Sequence, residues 1–295
     1  MSGTNSNPSL QVTVSSKQIL AISLPIALAI MVPQVNFVIN NIFLGALSSE
    51  ALAIGGITGV FYLIFGVMGQ GLNNGLQALI SRRAGENRVD EIGVLFNQGV
   101  IISILLSIIA IAFTYFIAPS IFHSVLHDSQ RANNVIEFLK IRIWGIPFLF
   151  IYQMRNALLV GTNQSKFLII GTATEAAFNI FFDYSLIFGH FGFTAMGLNG
   201  AAYASIISEV MGLFVIYLVI HYQKIGARFE LFKNFEIKWD YIKLIFVQSS
   251  PIMMQYMISI ISWEIFYILI EHRGEQSLAV SNSMRNIFGF FGSFT

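Results

Sequence analysis

From Ser16 onward, apolar blocks of about twenty residues or more follow one another, separated by short polar turns. Eight such blocks stand near 16–44, 51–79, 92–118, 134–160, 165–188, 194–222, 239–270 and 276–295. At about 1.5 Å of rise per residue, a helix of that length crosses a hydrocarbon core roughly 30 Å thick. The blocks lack the short alternation of barrel strands, and only helices or closed barrels satisfy every backbone polar group in lipid. The pattern predicts an all-α integral membrane protein, a multi-span helical bundle.

Composition strengthens that reading. Of 295 residues, 55% are apolar, only 11% are charged and 28 are Phe, whereas a soluble domain carries roughly a quarter charged residues. A net charge of +1 speaks against a nucleic-acid partner. The absence of Cys excludes disulfides, thiolate catalysis and Cys-based metal sites. The amino-terminal "MSGTNSNPSLQVTVSSKQ" has no basic segment followed by a cleavable apolar core, so no signal peptide is expected.

Loop charges set the expected orientation. Lys17, then Arg82, Arg83 and Arg88, then Arg155 and Lys166, then Lys224, Arg228, Lys233, Lys238 and Lys243 all fall on one side. Arg131, Lys140, Arg142 and Arg273 fall on the other, and Arg285 lies inside the last block. The basic side is the cytoplasmic one, which puts the amino terminus in the cytoplasm of a multi-pass inner-membrane protein.

The stretch "PIALAIMVPQVNFVINNIFLGALSSEALAIGG" from Pro25 aligns without a gap on "PIMMQYMISIISWEIFYILIEHRGEQSLAVSN" from Pro251. Both open with Pro-Ile, continue as a long apolar helix and close with a polar turn. An even number of spans separates the copies, so they point the same way, as in transporters with parallel repeats. The expected organisation is a six-helix lobe over 1–222, a cytoplasmic linker over 223–238, and the first two helices of a second lobe over 239–295. The second copy stops within a helix, so the chain reads as truncated.

One stripe carries candidate chemistry. Glu175, Asn179 and Asp183 advance four residues at a time through "EAAFNIFFD" and so share a helix face. An acid at mid-membrane costs roughly 2.5–3.5 kcal/mol on insertion scales and faces the bundle interior or a wet cavity. Out of water a carboxylate favours its neutral form, and a bound cation reverses that preference. A group that can hold either a proton or a metal cation is the core of a coupled antiporter; the alternative is a polar clasp between helices. Span one adds Gln34, Asn36, Asn40 and Asn41 around Pro33, which bends a helix. Span two adds Gln70, Asn73 and Asn74 in "GQGLNNG". Tyr152 and Gln153 of span four, and Ser205 and Glu209 of span six, could line the same space. Glu264 of span seven is a further deep acid, with Arg285 as a candidate counter-ion. His123 and His127 read as surface residues of an amphipathic loop.

The order of these features resembles the multidrug and toxic compound extrusion (MATE) family of cation-coupled antiporters. The resemblance rests on "SLPIALAIMVPQVNFVINNIFLGALSSEALAIGGI", "LISRRAGENR", "NIFFDYSLIFG" and "GLNGAAYAS". It implies two six-helix lobes, export of organic cations and drugs against protons or sodium, and a coupling-cation site in the first lobe. By residue matching, Asn179 and Asp183 fall on the family's span-five Asn and Asp, with Na+ as a candidate ligand, and Ser205 on its span-six hydroxyl. The family's span-one acid falls on Asn40, which departs from the pattern and leaves Glu175 as the acid to supply the missing charge from the opposing helix. Tyr184 stands where the family has Pro. The span-seven acid of some relatives falls on Ser259, so that role does not pass to Glu264.

The expected function is therefore antiport of a small organic solute, cationic or amphiphilic, against protons or sodium. Asp183, Asn179, Glu175, Asn40 and Ser205 form the expected cation site; Asn36, Gln34, Gln70, Tyr152 and Glu264 line the expected substrate cavity. Beyond the coupling ion no cofactor is implied, and a monomer in contact with lipid is expected. A flippase for lipid-linked saccharides or a polysaccharide exporter is the alternative cargo reading. It calls for cavity Arg or Lys, and spans one to three, five and six carry none deep inside. No nucleophile–base pair or His-rich metal set supports an intramembrane enzyme, and no filter-like loop supports a channel.

Overall fold

A computed structural model describes residues 16–126, 128–233 and 236–271. Among them there are helices and turns but no strand. The long helices are α1 (Ser16–Leu47), α2 (Ser49–Gly85), α3 (Val89–Phe116), then a short α4 (Ala118–Val125), α5 (Ser129–Arg142), α6 (Ile146–Gly161), α7 (Leu168–Phe188), α8 (Leu198–Tyr222), a single turn α9 (Ile225–Arg228) and α10 (Trp239–Glu271). Seven of the eight apolar blocks are thus helical, the fourth as two helices. The eighth, with Arg285, lies outside the described residues, as do His127 and Arg273. By length and composition, Ser49–Gly85, Val89–Phe116, Leu198–Tyr222 and Trp239–Trp263 are each able to cross a membrane.

The fourth span departs from the expected 134–160. It begins at Ser129, where Asp128 caps it by accepting the Gln130 N–H at 2.9 Å. It then breaks at a 3-10 turn, Ile143–Gly145, before restarting as α6 with Pro147 in its first turn. Proline lacks an N–H and suits a helix start, not a helix interior, so the break falls where "WGIP" puts it. His123 sits on α4, not in an open loop, and is exposed as expected.

Polarity runs from inside to outside in the sense lipid demands. On α3, Ile104, Leu105, Ile108 and Ile109 are exposed while Ser103, Ser107 and Thr114 are buried. The three hydroxyls donate to backbone carbonyls within the helix. Apolar side chains cost nothing against hydrocarbon, whereas polar groups need partners and turn inward.

Between α8 and α10, the linker is held against α3. Buried Asn97 accepts the Phe232 N–H at 3.1 Å, and buried Gln98 accepts the Lys238 N–H at 3.2 Å while donating to the Glu236 carbonyl at 2.8 Å. α10 then packs along α2. A Cβ on Gly71 would lie 2.7 Å from the Met253 Cα, and one on Gly75 the same distance from the Ser249 Cα. The spacing Gly-x-x-x-Gly lets two helix backbones meet this closely.

Candidate cation site

The site is built where α1, α7 and α8 meet. α1 and α7 run parallel. Asn36 shares a groove with Ala176 and Ile180, and further along Phe43 meets Tyr184 and Phe188 at ring separations of 6.5 and 6.1 Å. Asn40, between these contacts on α1, stands level with Asp183, between them on α7. α7 and α8 run antiparallel: Gly212 lies against Glu175, Ser205 against Asn179 and Gly200 against Leu186.

Asp183 is 1% exposed and Asn179 is 2% exposed. Neither carboxylate oxygen of Asp183 makes a hydrogen bond, nor do the Oδ1 atoms of Asn179, Asn40 and Asn36. Asn179 Nδ2 donates to Ser205 Oγ at 3.5 Å. Buried polar atoms are almost always paired, so acceptor oxygens left without donors mark a place shaped for a cation or a proton. Asp183, Asn179 and Asn40 fit a hard cation that takes oxygen ligands; no cluster of three His, Cys, Asp or Glu exists among the described residues to suit a transition metal.

Glu175 goes elsewhere. A Cβ on Gly212 would sit 3.1 Å from the Glu175 Cβ, so this acid faces α8 and not Asn40 on α1. The charges acting on it are those of Glu209, Arg155 and Arg142. Glu175 was expected to supply charge opposite Asn40; its Cβ instead lies on the α8 side of α7.

Two arginines placed in loops by charge counting are inside the bundle. Arg142, at the end of α5, forks onto Glu209 of α8 at 2.6 and 3.1 Å. It also donates to the Tyr62 hydroxyl at 2.9 Å and lies 3.8 Å over that ring. The Tyr62 O–H in turn donates to Glu209 Oε1 at 3.1 Å. Arg155 is 2% exposed on α6, stacked 3.6 Å over Tyr152, with one N–H on Asn156 Oδ1 at 2.6 Å. Both leave the loop count, and the basic bias of the remaining Lys and Arg is unchanged in direction. The signal was available: the apolar block 134–160 already enclosed both residues.

The other candidates scatter. Asn36 lines an apolar groove of about 300 Å³ between α1 and α7, with Leu28, Met31, Ile169, Ala176 and Ile180 among its walls. Gln70 is exposed on α2 and donates to Asn74, whose amide reaches Tyr256 of α10 at 2.7 Å. Tyr152 is buried beneath Arg155, away from that groove. Gln34 and Glu264 are on α1 and α10, their side chains outside the described part.

The MatE family model matches residues 25–185, more than half of the chain. The chain belongs to the MatE family. It is 27% identical over 212 residues to "Probable multidrug resistance protein NorM" of a Synechocystis species, covering 70% of this chain and 45% of that protein. It is 29% identical over 221 residues to the protein of the same name in Halalkalibacterium halodurans, covering 72% and 47%. The chain thus spans about half the length of the curated relatives it matches. Among solved structures, a MATE protein in complex with MaL6 superposes with a TM-score of 0.84 at 20% identity, over 94% of this chain and 62% of that one. A MOP superfamily transporter from Pyrococcus furiosus, described as having a binding pocket of reverse polarity, gives 0.77 at 20% identity over the same shares. The structures share the fold that holds the α1–α7 groove and the buried Asp183.

Proposed function

We propose that this MatE chain serves a secondary active antiporter that exports organic solutes, cationic or amphiphilic, in exchange for protons or sodium. One observation carries the reading: a carboxylate, 1% exposed, whose two oxygens have no partner and whose neighbours present further acceptor oxygens. A structural clasp would saturate those oxygens, because an unpaired buried charge is costly. An exchange site keeps them open for an ion that comes and goes.

In the proposed cycle, a cation bound among Asp183, Asn179 and Asn40, with Ser205 orienting the Asn179 amide, draws α1 and α7 together. Its release relaxes that contact, and the apolar α1–α7 groove changes shape. Residues 1–222 form one lobe, 223–238 the linker and 239–295 the start of the next lobe, with the amino terminus in the cytoplasm of an inner-membrane protein. The relatives' names support a drug-like cargo. Arg142 does not favour a pyrophosphate cargo, because its guanidinium is held by Glu209 and Tyr62.

The test is solute efflux from proteoliposomes of the protein with its second lobe completed, under imposed proton or sodium gradients, with Asp183→Asn beside the parent. Efflux driven by one gradient and lost in the variant is expected. Equal gradient-driven rates in both would refute the reading.

A further inference from the structure

The Arg142–Glu209–Tyr62 cluster is not part of the cation site, yet it is the strongest buried charge beside it. Its side chains are 14% and 6% exposed for Arg142 and Glu209. On α8, Glu209 stands one turn from Ser205; on α7, Asp183 stands one turn from Asn179, and Asn179 bonds Ser205. The ion pair therefore lies about two helical turns from Asp183, ~10 Å. The charged groups around Asp183 are Glu175 on its own helix, Arg142 on α5, Glu209 on α8 and Arg155 on α6. Of these, Arg142 is the guanidinium whose charge opposes a cation at Asp183. Every feature of the cluster restrains that guanidinium: the fork onto Glu209, the phenol, the stacking on Tyr62, and Gly145, where any side chain would collide with both partners.

We propose that the Arg142–Glu209 pair sets the cation affinity of Asp183, with Glu209 and Tyr62 holding the guanidinium near enough to weaken the bound cation and too far away to replace it. The proposal rests on the reading of Asp183 as a cation site. The physical reason is that an exchange site must release its ion, and a bare buried carboxylate surrounded by oxygens would hold it too tightly. A fixed positive charge across low-dielectric protein lowers that affinity without touching the ligand. At ~10 Å and an effective dielectric of about 20, one unit charge shifts affinity on the order of tenfold. Arg142 and Glu209 are positioning residues in this scheme.

The experiment is sodium protection of Asp183 against a hydrophobic carbodiimide at constant pH, read site by site by mass spectrometry on the full chain. Arg142→Gln is expected to give half-protection at roughly tenfold lower sodium, because Glu209 is left uncompensated. Glu209→Gln is expected to need roughly tenfold more, because the released guanidinium turns toward Asp183. The double variant lacks the fixed positive charge but leaves no bare Glu209. It should be half-protected at lower sodium than the parent and at higher sodium than Arg142→Gln. A double variant equal to the parent overturns the proposal. Both single variants break the same ion pair, so a merely structural role moves them in the same direction. Protection in the parent with parallel or absent shifts in the variants overturns the proposal and leaves the cation site standing. Sodium protecting Asp183 in no form overturns the proposal and the sodium reading of the site, while the proton reading stands or falls on the gradient-driven efflux test. If one single variant fails to fold, the double variant and the other single still decide the sign.

Discussion

Asp183 and Glu209 are two carboxylates of one lobe, nearly equal in burial at 1% and 5% exposed, and they are treated in opposite ways. Glu209 takes a forked guanidinium and a phenol; Asp183 takes nothing. Burial alone therefore does not separate a structural acid from an exchange site. What separates them is whether the protein supplies the partner. A saturated carboxylate holds helices together, and an open one waits for an ion from outside.

The contrast breaks most visibly by removing each acid in turn. Glu209→Ala strands a buried Arg142 and should cost about 3–5 kcal/mol in unfolding measurements. Asp183→Asn removes a charge without a partner and should leave the melting temperature unchanged or higher, though gradient-driven efflux disappears. Equal destabilisation by both would erase the distinction. Gly145→Ala comes next. Its new methyl meets Glu209 and Arg142, and overpacking should cost about 1–3 kcal/mol while loosening the ion pair. Ser205→Ala takes from Asn179 its acceptor and should cost about 0.5–1.5 kcal/mol, with sodium protection of Asp183 weakened severalfold.

The smallest effect lies outside the membrane. Arg82 and Arg83 hold the Glu86 carboxyl down at about 2. A depressed acid adds stability that is complete above its unfolded value and lost as pH falls through its folded one. The contribution of Glu86 should be flat from neutral pH down to ordinary carboxylate values and fade only toward about 2. Comparing the parent with Glu86→Gln across that range checks it, and a difference that changes near neutrality would contradict it.

Much of the fold was legible because the bilayer acts as a ruler. Apolar blocks anticipated where the described helices lie, and four of those helices are long and apolar enough to cross a membrane. The stripe of Glu175, Asn179 and Asp183 was legible from spacing, but its facing was only half legible. Each step of four residues rotates the side chain by about 40° on a helix of 3.6 residues per turn, so two steps turn it by about 80°. That drift leaves Glu175 against Gly212 of α8 and turns Asp183 about 80° away from it around α7. Asn36 and Asn40 share a face on α1 for the same reason that Glu175 and Asn179 share one on α7, yet Asn36 lines the α1–α7 groove while Glu175 packs on α8.

Arg142 and Arg155 were misplaced for a different reason. Loop counting assumes that a basic residue near a span end reaches water, and it has no term for a counter-ion on a distant helix. Glu209 follows Arg142 by many residues and stands on another helix; only packing brings them together.

The chain by itself determined the solvent, the number of crossings it describes, the break at Gly145-Ile146-Pro147 and the presence of an acid deep in the fifth span. Those follow from local rules, since apolar length, proline geometry and the cost of a charge in lipid act along one segment. Which acid is satisfied and which is left open was decided only in three dimensions. Hydrogen bonds and fields join groups far apart in sequence, and rotation of a helix by a fraction of a turn determines which of them meet.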